Sequence, residues 1–184
     1  NTHSSAQGEV ATRGGLTRRE GAGASPARSI SLMPRSNGAE VYTVASWLMQ
    51  QLPGLSFHIH ASDLHEELVE HARAGKYTSD QVLHSEYIDQ PFIDATFERV
   101  DGNYVVRPEV RAHTSFRQAN LLDGDGLRKN FAKAPLVIAQ NVLFHLTPSQ
   151  ATTAFENLVS LMTARGVLLV EGMDLDLRSA CTVR

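Results

Sequence analysis

The residues in this sequence that could do chemistry are polar ones standing just after the carboxyl ends of expected strands: Ser36-Asn37, Asp63, Asn120 and Gln140-Asn141. An acid at Asp63 could accept hydrogen bonds from ribose hydroxyls, as an acid near this place does in dinucleotide-type folds. It could equally cap a following helix, and the two roles are compatible. His58 and His60 form a His-x-His pair, with His65 and His71 after them. Such a pair supplies two zinc ligands and needs a third and fourth. No cysteine lies nearby, and Glu66, Glu67 and Glu70 belong to a solvated helix face, so no metal is expected. His145 could orient or deprotonate an acceptor of suitable pKa, or simply hydrogen-bond a loop carbonyl.

The elements that must hold these residues alternate in type. Residues 30–33 read as a buried strand, Pro34 breaks it, and Ser36-Asn37-Gly38 turns the chain. Val41, Val44, Ala45, Leu48, Met49 and Leu52 then form the stripe of a helix packed on one face. A glycine-bearing turn between strand and helix lets backbone approach a ligand, and the helix start presents free N–H groups. Pro53-Gly54 stops this helix, residues 55–61 read as a second strand, and residues 64–74 as a helix ended by Gly75. Residues 76–114 lack a clean period and suggest short helices draped over the sheet, with a turn at Asp101-Gly102-Asn103 and a short strand over 104–106. Residues 114–119 form another strand, and 135–139 (PLVIA) a continuous apolar run suited to a central parallel strand. Thr147 and Pro148 start a helix reaching about Ala164, Arg165-Gly166 ends it, and residues 167–170 are the last strand. The expectation is an α/β fold, a doubly wound, Rossmann-like, mostly parallel sheet whose carboxyl edge carries all four polar clusters.

Composition narrows the class. A chain of 184 residues, 42% hydrophobic, suits one domain. A net charge of −3 gives no global nucleic-acid footprint, and no apolar run is long enough for insertion into a membrane. Cys181 is the only cysteine, so nothing argues for an oxidising compartment, and a cytoplasmic domain is expected. Residues 1–28 are rich in Gly, Ser, Ala, Thr and Arg and have no aromatic residue, as in a disordered tail; residues 29–184 form the domain.

In order, these motifs resemble the chemotaxis-receptor (CheR-type) S-adenosylmethionine-dependent methyltransferases. The likeness rests on Ser36-Asn37-Gly38-Ala39-Glu40-Val41-Tyr42-Thr43, Ala61-Ser62-Asp63, Ala72-Arg73-Ala74-Gly75-Lys76-Tyr77, Asn120-Leu121-Leu122 and Gln140-Asn141-Val142-Leu143-Phe144-His145. It covers roughly residues 29–172 and implies S-adenosylmethionine as cofactor and a class I methyltransferase sheet lacking its last strands. The resemblance makes Ser36, Asn37 and Gly38 cofactor-binding residues and places Glu40 at the methionine end, Asp63 on the ribose, Asn120 and Leu121 around the adenine, and Asn141 and Val142 near the transferring methyl. Gln140, Asn141 and His145 are its candidate catalytic residues. A carboxylate bridges adjacent hydroxyls well, and amides with apolar side chains suit an uncharged base.

The implied reaction is methyl transfer to a glutamate side chain of a protein acceptor. A carboxylate nucleophile is already ionised near neutral pH and needs no general base. Several departures accompany the likeness: Pro34 replaces the first glycine of the family's turn, with Arg35 beside it, and Gln140 and His145 stand for an Arg and a Tyr. The family's helical N-terminal domain has no counterpart in the tail, and the likeness ends before the family's closing strands. A catalytically inactive CheR-like binding or signalling domain, or a fragment, is the rival expectation. A dinucleotide-binding protein would want more than the single turn glycine Gly38.

Overall fold

The computed structural model describes residues 27–33, 37–83 and 88–172. Residues 1–26 of the expected tail, the turn residue Ser36 with Pro34 and Arg35, and Cys181 lie outside the described residues. In chain order the elements are β1 (Arg28–Leu32), α1 (Ala39–Gln51), β2 (Phe57–Asp63), α2 (Glu66–Ala74), β3 (Lys76–Tyr77), α3 (Ser79–Leu83), α4 (Gln90–Thr96), β4 (Phe97–Val100), β5 (Asn103–Val106), α5 (Pro108–Arg111), β6 (Thr114–Gln118), α6 (Gly124–Asn130), β7 (Ala134–Ala139), a 3-10 turn (Leu143–His145), α7 (Pro148–Ser160) and β8 (Met162–Val170). Arg28, expected in the tail, already pairs in β1 opposite Phe57.

Five strands form the main sheet in the order β6-β2-β1-β7-β8, and every adjacent pair is parallel. The chain winds outward from β1 to β6 and then returns to the other side of β1 as β7. Where the winding reverses, the connections leave in opposite directions and open a crevice at the strands' carboxyl ends.

Each face of the sheet carries its own core. Ile30, Leu32, Ile59, Ala61 and Ile138 pack with Val41, Tyr42 and Ala45 of α1. Val137 and Ala139, on the other side of the pleat, pack with Leu127 of α6 and with Ala154 and Leu158 of α7. Strand β7 is therefore buried on both sides, which accounts for its unbroken apolar sequence. Helix α7 begins as its residues dictate, with Thr147 and Gln150 forming a capping box and Pro148 in the first turn. Gly75 closes α2 in the left-handed region at φ 59°.

Three expectations are corrected. The middle segment is more than short helices: β3, β5 and β4 form an antiparallel sheet in that order, its hairpin turning at Asp101 and Gly102 with φ 49° and 77°. The exposed charges Glu98 and Arg99 mask any alternation in β4, and pairing with β5 supplies what local pattern does not. Helix α7 ends at Ser160 and the last strand starts at Met162, so Arg165-Gly166 lies inside β8. The register there jumps from Ala134↔Met162 to Leu136↔Val167, an irregularity in which Gly166 comes close to backbone: a Cβ on it would stand 3.1 Å from the Thr163 oxygen and 3.2 Å from that of Ala134. Helix α2 starts at Glu66, leaving Leu64 exposed beside the end of β2. Among the described residues, no helix is long and apolar enough to cross a membrane.

Candidate functional site

A cavity of about 280 Å³ opens at the carboxyl ends of β1, β2 and β6. Asp63, Asn120, Leu121, Val142 and His145 line it. The walls are mainly apolar, with Met33, Leu64, Ala119, Leu122 and Leu146 completing them beside Ser62 and His65. A mostly apolar cleft with a few convergent polar groups is the usual form of a small-molecule site.

Asp63 is the last residue of β2 rather than the first beyond it, and it is 8% exposed. Its Oδ1 accepts a hydrogen bond from the His65 N–H at 2.9 Å, so it caps the turn before α2 rather than the helix itself, whose N-cap is His65. Its Oδ2 is buried and has no hydrogen-bond partner. A buried acceptor left unmade costs about 1–3 kcal/mol, so this oxygen carries an unmet demand for a donor beside the cavity that Asp63 lines. The backbone around it is tied down: the Asp63 carbonyl accepts from Ala119 N–H at 2.9 Å, and Gln118 Nε2 donates to the Leu64 carbonyl at 2.9 Å.

Asn120 folds its own loop, its Oδ1 accepting from Leu122 N–H at 2.9 Å. Asn157 of α7 donates to the Leu121 carbonyl at 2.8 Å, which holds this wall against the second core. Val142 leads into the 3-10 turn, where the rings of Phe144 and His145 lie tilted by 37° with centroids 3.9 Å apart.

Other expected residues lie elsewhere on the same edge. Asn37, Gly38 and Glu40 open α1 and do not line this cavity. Gly38 is at φ 92°, and a Cβ there would meet the Ala72 Cβ at 2.7 Å, so both conformation and space select glycine. Glu40 is half-buried, and burial first, then the charge of Glu171, raises its carboxyl above the ordinary value. Gln140 donates weakly to Glu171 at 3.5 Å. Asn141, exposed at φ 53°, also lies outside the cavity lining. The lining residues that the sequence reading missed, among them Ser62, Leu64, His65 and Leu122, are chain neighbours of Asp63 and Asn120, so adjacency to a strand end was the available signal.

His58 and His60 stand on one face of β2 with rings 4.8 Å apart, and His60 Nδ1 is 3.0 Å from the Ser115 hydroxyl. No group of three or more His, Cys, Asp or Glu suited to a metal ion occurs among the described residues.

Comparison with known proteins bears on this site. The chain is 29% identical over 139 residues to a chemotaxis protein methyltransferase of Listeria innocua, covering 76% of this chain and 50% of that protein. It is 24% identical over 142 residues to chemotaxis protein methyltransferase 2 of Vibrio cholerae, covering 75% and 48%. The chain thus spans about half the length of the curated relatives it matches. Among solved structures, an O-methyltransferase family protein from Burkholderia thailandensis superposes with a TM-score of 0.50 at 16% identity, over 79% of this chain and 32% of that one, a likeness of fold. The family model for the CheR methyltransferase SAM-binding domain matches residues 22–175, and with the reversing parallel sheet and the edge cavity this shows that the chain belongs to that family, whose cofactor is S-adenosylmethionine.

Proposed function

We propose that this domain binds S-adenosylmethionine with its adenosine in the Asp63 cavity and serves methyl transfer to an acceptor at the β7 and β8 side of the edge. The observation that carries the reading is Asp63, which lines a mainly apolar cleft and has a buried carboxylate oxygen without a hydrogen-bond partner. The residues present fit the cofactor: a carboxylate for ribose hydroxyls, Asn120 and Leu121 for an uncharged base, and the half-buried Glu40 carboxyl for an ammonium group. When bound, the cofactor supplies a methyl group already activated on a sulfonium. The chain's own residues then need to bind, orient and exclude water, because in-line positioning provides most of the rate. Asp63 and Asn120 fix the nucleoside, Val142 gives an apolar wall, and Gln140, Asn141 and His145 stand towards the acceptor.

A glutamate side chain of a protein partner is the acceptor that the family resemblance implies; the names of the relatives, chemotaxis protein methyltransferases, support methyl transfer in chemotaxis and specify no side chain. The direct test is calorimetric titration of the folded chain with S-adenosylhomocysteine. Micromolar, one-to-one binding is expected. A folded sample that produces neither binding heat nor a thermal shift overturns the reading.

A further inference from the structure

Two buried phenols bracket the turn that opens α1. Tyr77 on β3 is 3% exposed, and its Oη donates to the Asn37 carbonyl at 2.9 Å. Tyr42 on α1 is 1% exposed, and its Oη donates to the Ala72 carbonyl at 2.7 Å. Between the two bonds Gly38 is pressed against α2: a Cβ on it would stand 3.0 Å from the Ala72 Cα and 3.1 Å from the Tyr77 Oη. The rings are edge-on to each other, 6.4 Å between centroids.

The bonds are alike in chemistry and different in place. Tyr42 ties α1 to the last turn of α2, well inside the packed core. Tyr77 instead holds the peptide joining Asn37 to Gly38, two residues before Glu40. That peptide lies at φ 92° on its glycine side, where rotation about a glycine meets little intrinsic barrier. Burial and neighbouring Tyr42 push the Tyr77 phenol far above its ordinary pKa, so it stays a donor. Tyr77 itself is set edge-on against His71 at 5.5 Å and Phe97 at 5.9 Å, so the ring is fixed without its hydroxyl.

We propose that Tyr77 is a positioning residue for the cofactor: its phenol locks the orientation of the Asn37–Gly38 peptide, and through it the Gly38 backbone and the Glu40 carboxyl that receive the methionine end. The inference rests on the cofactor reading above and adds a residue that touches no part of the proposed ligand. Without the phenol, the turn samples other orientations, and binding must first select the competent one, which weakens apparent affinity by the competent fraction.

The test compares Tyr77→Phe with Tyr42→Phe, each deleting one buried hydroxyl and keeping its ring. Both are expected to lower the melting temperature similarly. Only Tyr77→Phe is expected to raise the S-adenosylhomocysteine Kd, by about 5- to 30-fold, the scale of one lost organising hydrogen bond. Hydrogen exchange of the Ala39 amide, which donates to Asn37 Oδ1 at 3.4 Å, and of the amide at position 42, which donates to the Gly38 carbonyl at 3.1 Å, read without ligand, should quicken in Tyr77→Phe and stay unchanged in Tyr42→Phe. Equal Kd shifts in the two variants, or unchanged exchange in Tyr77→Phe, overturn the inference. Absence of binding by the wild type refutes the cofactor reading instead, and the exchange data still decide whether Tyr77 orders the turn.

Discussion

Replacing Asp63 by asparagine separates a ligand-binding carboxylate from a structural one. In the free protein, Oδ1 holds the His65 N–H at 2.9 Å while Oδ2 is buried without a partner. The amide introduced by Asp63→Asn can keep its carbonyl oxygen on His65 and place its NH2 where Oδ2 stood. The turn therefore survives, but the unpartnered acceptor of this cavity-lining residue is lost. A charge-assisted hydrogen bond to a ribose hydroxyl contributes about 1.5–3 kcal/mol, so the S-adenosylhomocysteine Kd should rise by about 10- to 150-fold. Removing an unpaired buried carboxylate oxygen costs the free protein nothing comparable, so the melting temperature without ligand should hold steady or rise. Calorimetry on Asp63→Asn, with melting curves taken without ligand, reads both quantities. An affinity within about twofold of wild type would refute the ribose role. A large fall in melting temperature would show that Asp63 serves the turn before α2 first.

Two further outcomes follow from packing and charge. Gly38→Ala should destabilise by about 2–4 kcal/mol in urea titration, because it combines left-handed strain with a Cβ 2.7 Å from that of Ala72; a loss below about 0.5 kcal/mol would show that the turn relaxes freely. Burial, with the charge of His113, lowers the His58 pKa from 6.5, and burial, with His58 and Arg117, lowers that of His60. The unfolded chain therefore binds more protons below that value. The stability these residues contribute is fully present above about pH 6.5 and is lost as pH falls through the depressed native values. Urea titrations at about pH 7.5 and about pH 5.5 should show a smaller difference for the His58→Gln/His60→Gln double variant than for wild type, and an equal difference would remove the pair from the pH dependence.

Local sequence determined the frame. The apolar run 135–139 read as a buried central strand, Thr147-Pro148 as a helix start and Gly75 as a helix end, and the structure has all three, since each rests largely on short-range sterics or hydrogen bonding. The alternation of strands and helices then confined the polar residues to one edge of a parallel sheet, and the motif order was enough to suggest the family. Tertiary structure decided what pattern does not encode. The β3-β5-β4 sheet exists through cross-strand pairing, with the alternation of β4 hidden by Glu98 and Arg99. Arg165-Gly166 reads as a helix stop, yet it lies inside β8, because pairing with β7 outweighs a local breaker.

The site divides in the same way. Asp63 and Asn120 reach one cavity while Gln140 and Asn141 do not line it, although all four stand at or just after strand ends. Which polar groups converge depends on where each strand stops relative to its neighbour, on the direction of winding, and on single torsions such as φ 53° at Asn141. Those are properties of the assembled sheet: residue type sets what a side chain can bind, and only the register of one strand against the next sets what it can reach.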